Sequence, residues 1–171
     1  MTKATLTLIA ATATLALSAC AKKAPEQLPP APTETGAVPT DTPTDTASGP
    51  GTQAHFSTAV GAPNTVVYFD TDQYDIDAED SAKLQTQARY FAQYSNVNFT
   101  IEGHADERGT REYNLALGER RANSAKNYLV SLGIPATRIR TVSYGKEQPV
   151  ALGSDEGSWA QNRRAATVVI N

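Results

Sequence analysis

The sequence predicts an α+β domain in which helices pack on one face of a small mixed sheet, in the order β-α-β-α-β-(α)-β. Three observations carry this. Two long stretches, 78–94 and 111–132, repeat apolar residues at helical spacing. Four short runs are β-branched and aromatic, or alternate apolar with polar residues. All of them fall within residues 54–171, a length typical of one ordinary domain.

Taken in order, 64–69 (NTVVYF) reads as a strand that ends in the acidic turn Asp70-Thr71-Asp72. Asp77 is placed to cap a helix over 78–94, with Asp80 near its positive end. Leu84, Ala88 and Phe91 follow at i, i+4, i+7 and mark its buried side. Val97, Phe99 and Ile101 alternate with polar residues, so a half-buried strand leads into Gly103. A second long helix starts at 111 or 112, reaches Leu132 and stops at Gly133, with Pro135 just beyond. Ile139, Val142 and Tyr144 suggest a third strand ended by Gly145. A short helix near 155–164 and a strand over 166–170 (ATVVI) complete the order.

The first 53 residues have a different character. Lys3, an apolar Ala/Thr/Leu-rich run and Leu17-Ser18-Ala19-Cys20 form a secretory signal over 1–19. A small residue before a lone cysteine is the lipobox pattern of bacterial lipoproteins. Cys20 is the only cysteine, so no disulfide forms within one copy, and lipidation accounts for the thiol. More than one acyl chain gives stable membrane anchoring, at about 0.8 kcal/mol per buried CH₂. Ala21 follows where an aspartate would resemble an inner-membrane retention signal, which favours the outer membrane. Residues 20–53 are rich in proline, threonine and alanine and lack any apolar period; a disordered tether is expected. Fully extended, it would reach on the order of 100 Å.

Residues 54–171 carry 12 Lys/Arg against 14 Asp/Glu, a net of −2. That balance lacks the basic field nucleic-acid binding requires. Chemistry, if present, should lie in GHADERGTREYN (103–114), which crowds acids, arginines, a histidine and glycines together. Zinc is disfavoured because His104-x-Asp106 has no cysteine in the domain to join it and only one other histidine, His55. The acidic run 70–80 puts Asp75 and Ser81 where an EF-hand needs glycine and glutamate. No nucleophile elbow and no phosphate loop is visible, so binding without catalysis or cofactor is expected.

Asn114, Leu117 and Arg121 lie at i, i+3, i+7 on one stripe of the second long helix. Arg121 then points toward the loop that offers Asp106, with Thr110 between. An acid and an arginine flanking a groove suit a zwitterion, the fork taking a carboxylate and the acid an ammonium. The same two residues could equally pair with each other, and residue types alone leave both readings open.

Three longer stretches add a resemblance: VVYFDTDQYDI (66–76), EGHADERGTREYNLALGERRA (102–122) and VSYGKEQPV (142–150). They are similar to the OmpA-like peptidoglycan-binding domains, in particular those of the peptidoglycan-associated lipoproteins. The resemblance implies a fold of that class and a non-covalent grip on the diaminopimelate of the wall's peptide stem. It implies Asp106 and Arg121 as the gripping pair, with Asn114, Thr110 and Leu117 as further contacts. Phe69 and Asp70 would form the strand end lining the groove, while His104 and Glu107 would shape the loop. It also implies the Tol–Pal system, in which TolB and the wall compete for overlapping surface during envelope constriction. Arg111 stands where other members often carry proline or a small residue. A cell-wall hydrolase remains the rival from another class, distinguished by release of soluble muropeptides.

Overall fold

The computed structural model describes residues 49–170. The expected signal over 1–19, the expected lipidation site Cys20 and the expected tether as far as residue 48 lie outside the described residues. The chain runs through α1 (Gln53–Val60), a 3-10 turn (Ala62–Thr65), β1 (Val66–Tyr68), α2 (Ala78–Gln93) and β2 (Phe99–His104). It continues through α3 (Arg111–Ser131), a second 3-10 turn (Ala136–Arg138), β3 (Ile139–Gly145), α4 (Glu156–Asn162) and β4 (Arg164–Val169). The sheet order is β1-β4-β2-β3. β2 and β3 are parallel, and β4 runs antiparallel to both of its neighbours. This is the α+β arrangement with a mixed sheet that the sequence predicts.

The helices share one face because the core-forming residues of the central strands project to one side. Phe99 of β2 stacks on Phe91 of α2 with ring centroids 3.6 Å apart, and Phe56 of α1 stacks on Phe91 in turn. Thr167 of β4 donates to Gln87 of α2, whose amide donates to the Asn64 carbonyl. Both ends of a fully buried polar side chain are thereby satisfied, which removes most of the cost of burying it. Beyond α2, Arg138 donates to the carbonyls of Phe91, Tyr94 and Val97. It closes the helix end that has no glycine cap of its own.

Several boundaries differ from those read in the sequence. α1 was not predicted, because its only buried residues, Phe56 and Val60, are too few to show a period. Its start at Gln53 lies at the edge of the stretch expected to be tether. β1 is shorter than 64–69: the 3-10 turn Ala62–Thr65, with Pro63 near its start, takes Asn64 and Thr65. Phe69 leaves the strand, its amide donating to the Arg163 carbonyl. β4 begins at Arg164 rather than 166 because Tyr68 pairs with Arg164. β2 extends to His104, so Gly103 and His104 belong to the ladder with β3 and not to the loop.

Gly103 and Gly118 set how closely α3 lies on β2. A Cβ on Gly103 would collide with the Gly118 carbonyl, and one on Gly118 would meet Ser143 Oγ and the Gly103 backbone. Backbone cannot yield as a flexible side chain can. Gly103→Ala is therefore expected to destabilise the domain by about 2–3 kcal/mol, read as a fall in the urea midpoint with the slope unchanged.

Candidate functional site

The site is built where β2 ends and α3 begins. After His104 the ladder continues for one bond, Ala105 N–H to Gly145 O, and the chain then turns through residues 106–110. Gly109 adopts φ 83, in the left-handed region that a Cβ disfavours. Thr110 caps α3, its hydroxyl accepting from Tyr113 N–H. The turn is fastened from outside as well. Lys146 donates to the carbonyls of Glu107 and Gly109, and Trp159 Nε1 donates to Glu107. Glu107 thus shapes the loop, as expected.

Arg121 is completely buried, reaching from α3 under two loops. Nη1 donates to His104 O at 2.8 Å, Nε to Gln73 O at 2.9 Å and Nη2 to Asp70 O at 3.0 Å. The guanidinium also lies 5.2 Å from the Phe69 ring centre. Burial, with the Arg163 charge beside it, pushes its pKa down to about 10, so it remains charged at neutral pH. Three acceptors leave one N–H on each Nη without a protein partner, since a guanidinium has five donors.

Asp106 is also buried, yet it does not pair with Arg121. Its carboxylate accepts from Arg108: the backbone N–H at 3.1 Å, Nε at 3.0 Å and Nη2 at 2.7 Å. Arg163 Nη1 lies 3.6 Å away. Burial alone would raise the Asp106 pKa, but the Arg108 bonds and the two cations outweigh it and hold the carboxyl below its ordinary value. Arg163 also donates from Nε to Phe69 O and from Nη2 to Glu156.

A pocket of about 260 Å³ opens between these groups. Asp106, Asn114, Leu117 and Arg121 all line it, as do Thr71, Asp72, Arg108 and Tyr113. Asn114 is buried and donates to Arg108 O, and Tyr113 OH donates to Asp72. Three expected contacts stand elsewhere. Thr110 acts at the helix cap, while Phe69 and Asp70 line a neighbouring cleft of about 570 Å³ that runs between Tyr68, Lys83 and Gln161. Sequence reasoning missed Arg108 and Arg163. Arg108 sits inside the quoted loop without a periodic signal, and Arg163 is brought in only by strand order. Among the described residues, no group of three His, Cys, Asp or Glu is placed to hold a metal ion. No helix there is long and apolar enough to cross a membrane.

Residues 68–163 match the OmpA family model. The chain belongs to the OmpA family. Within it, the chain groups with the peptidoglycan-associated lipoproteins. It is 55% identical to that of Rhizobium meliloti (strain 1021) over 123 residues, 72% of this chain and 68% of the relative. Against that of Agrobacterium fabrum the figure is 47% over 161 residues, 94% and 85% of the two chains. The crystal structure of the peptidoglycan-associated lipoprotein from Burkholderia pseudomallei superposes with a TM-score of 0.60 at 49% identity, covering 61% of this chain and 88% of that one. The cell wall anchor of the T6SS from Pseudomonas aeruginosa superposes at 0.56 with 20% identity, covering 72% and 100%; that likeness shows the fold alone.

His104, expected to shape the loop, stands at the end of β2. Only its carbonyl serves the site. The ring is buried and stacked on Tyr144 with both nitrogens unpartnered. Burial and the nearby Arg164 charge lower its pKa to about 4. It is neutral at pH 7, so its 3.9 Å approach to Glu102 is not an ion pair.

Two outcomes are expected from these contacts. Arg121→Ala removes three charge-assisted bonds to main-chain carbonyls and should cost about 3 kcal/mol or more of stability, measured by urea titration. For His104, the unfolded chain binds the proton near pH 6.5 and the folded chain only near 4. The stability of the neutral ring is therefore complete above pH 6.5 and lost as pH falls toward 4, by up to about 3 kcal/mol. His104→Phe should flatten the stability–pH slope in that window.

Proposed function

We propose that this chain is a non-enzymatic tether that binds peptidoglycan through the diaminopimelate of the peptide stem. One observation carries the reading: a buried carboxylate and a buried guanidinium line the same small pocket without pairing with each other. Asp106 offers a negative pole to a ligand ammonium. Arg121 has two N–H groups left for a ligand carboxylate. Asn114 and Leu117 complete that wall, Thr110 holds the helix start behind it, and Phe69 and Asp70 follow the end of β1 beside it. Membership among the peptidoglycan-associated lipoproteins supports the same ligand.

In this reading residues 1–19 are removed as a signal and Cys20 carries lipid in the outer membrane. Residues 20–53 then let the 54–171 domain reach the wall from the periplasmic side. Many anchored copies facing one continuous polymer hold through effective concentration even when each grip is modest. The resemblance extends the proposal to the Tol–Pal system, with TolB binding an overlapping surface while the envelope constricts. Co-purification with TolB tests that extension.

The test of the site is retention on purified sacculi, with and without competing diaminopimelate-containing peptide. Asp106→Asn keeps the shape and removes the charge. It should cost about 2–5 kcal/mol of binding while leaving the circular dichroism spectrum unchanged. Retention equal to wild type overturns the site, and release of soluble muropeptides overturns the non-enzymatic reading.

A further inference from the structure

Arg108 occupies the Asp106 carboxylate in the unliganded pocket. Backbone N–H, Nε and Nη2 all donate to it, the last at 2.7 Å. Little of that carboxylate is accessible, so an incoming cation meets it already engaged. Arg108 itself is loosely housed, unlike the other two arginines. Its side chain is 39% exposed, whereas that of Arg163 is 6% exposed and Arg121 is fully buried. Its other supports are a long bond to Thr71 Oγ1 at 3.3 Å and the Trp159 ring, 4.3 Å from the guanidinium carbon. Glu156 and Asp72 also favour its charge. These rim contacts can hold the guanidinium without its bonds to Asp106.

We propose that Arg108 is a specificity-determining residue that competes with the ligand for Asp106 and restricts the pocket to zwitterions. This rests on the reading of Asp106 as the ammonium site. The exchange is one of ion-pair partners. The ligand ammonium takes Asp106, and the Arg108 guanidinium, already over the Trp159 face, slides along it toward Glu156. A plain amine makes that exchange at a loss. It adds a positive charge to a site that already holds Arg108, Arg121 and Arg163 against Asp106 and Asp72. A ligand with a carboxylate next to its ammonium adds no net charge, and it also offers the carboxylate to Arg121 and the displaced Arg108. Arg108 thereby lowers affinity for every cation, and lowers it most for cations lacking a carboxylate.

The experiment is calorimetric titration of the full lipidated chain in detergent with two probes, meso-diaminopimelate and 1,5-diaminopentane, which is the same carbon chain without carboxylates. Wild type, Arg108→Gln and Asp106→Asn are compared. Removing the competitor should tighten diaminopimelate binding roughly 5- to 20-fold, the range expected when a pocket closed to most ligand collisions becomes open. It should tighten 1,5-diaminopentane binding by a larger factor, so that discrimination between the probes falls. Arg108→Gln binding diaminopimelate no better than wild type overturns the proposal, as does unchanged discrimination. If Asp106→Asn loses binding in that case, the Asp106 site stands and only the competition is wrong. If Asp106→Asn binds like wild type, both the site and the competition fall.

Discussion

The buried Arg121 guanidinium is the constraint around which the site end of the domain is arranged. Two carbonyls of the loop after β1 and one from the end of β2 converge on one rigid fork, and each would lose its donor if the fork were absent. Lysine could not replace it, because a single ammonium cannot span that spread of acceptors in one plane. The loop after β1 and the end of β2 have no strand pairing with each other, yet the guanidinium holds them in fixed relation. A charge placed so deep is tolerated because three of its five donors meet carbonyls and because Asp106 and Asp72 lie close enough to offset Arg163.

That arrangement depends in turn on how near α3 comes to the sheet. Gly103 and Gly118 meet backbone to backbone, and Ser143 Oγ closes the contact by donating to the Leu115 carbonyl. Any larger residue in either glycine position would lift the helix and withdraw Arg121 from its acceptors. Packing and electrostatics are therefore one problem here. The aromatic stack of Phe56, Phe91 and Phe99 secures the opposite half of the sheet and leaves the β2–α3 corner to polar bonds.

The three arginines around Asp106 divide the work by burial. Arg121 and Arg163 grip main-chain carbonyls on either side of residues 69–73 and have little freedom. Arg108 faces solvent and lies on the Trp159 ring. Guanidinium is suited to all three roles since it stays charged when buried, bonds in a plane and stacks on rings. Among the described residues, the accessible cation of the pocket is also the loosely held one, so it can exchange partners without disturbing the frame.

Local sequence determined the elements that depend on local rules. Asp77 as a cap, the period of α2 and α3, and the turn after β1 follow from residue types and spacing, and the α3 stripe already carried Asn114, Leu117 and Arg121. The extent of β1, β2 and β4 did not follow, because partner strands decide it: Tyr68 draws Arg164 into the sheet, and β3 draws in Gly103 and His104. Helix α1 was illegible, since two buried residues make no pattern until Phe91 is there to receive one of them. The choice between Asp106 pairing with Arg121 and the two standing apart was likewise beyond any spacing rule. Only the tertiary structure decided it, by bringing Arg163 from the far end of the chain and by supplying carbonyls that engage Arg121 first.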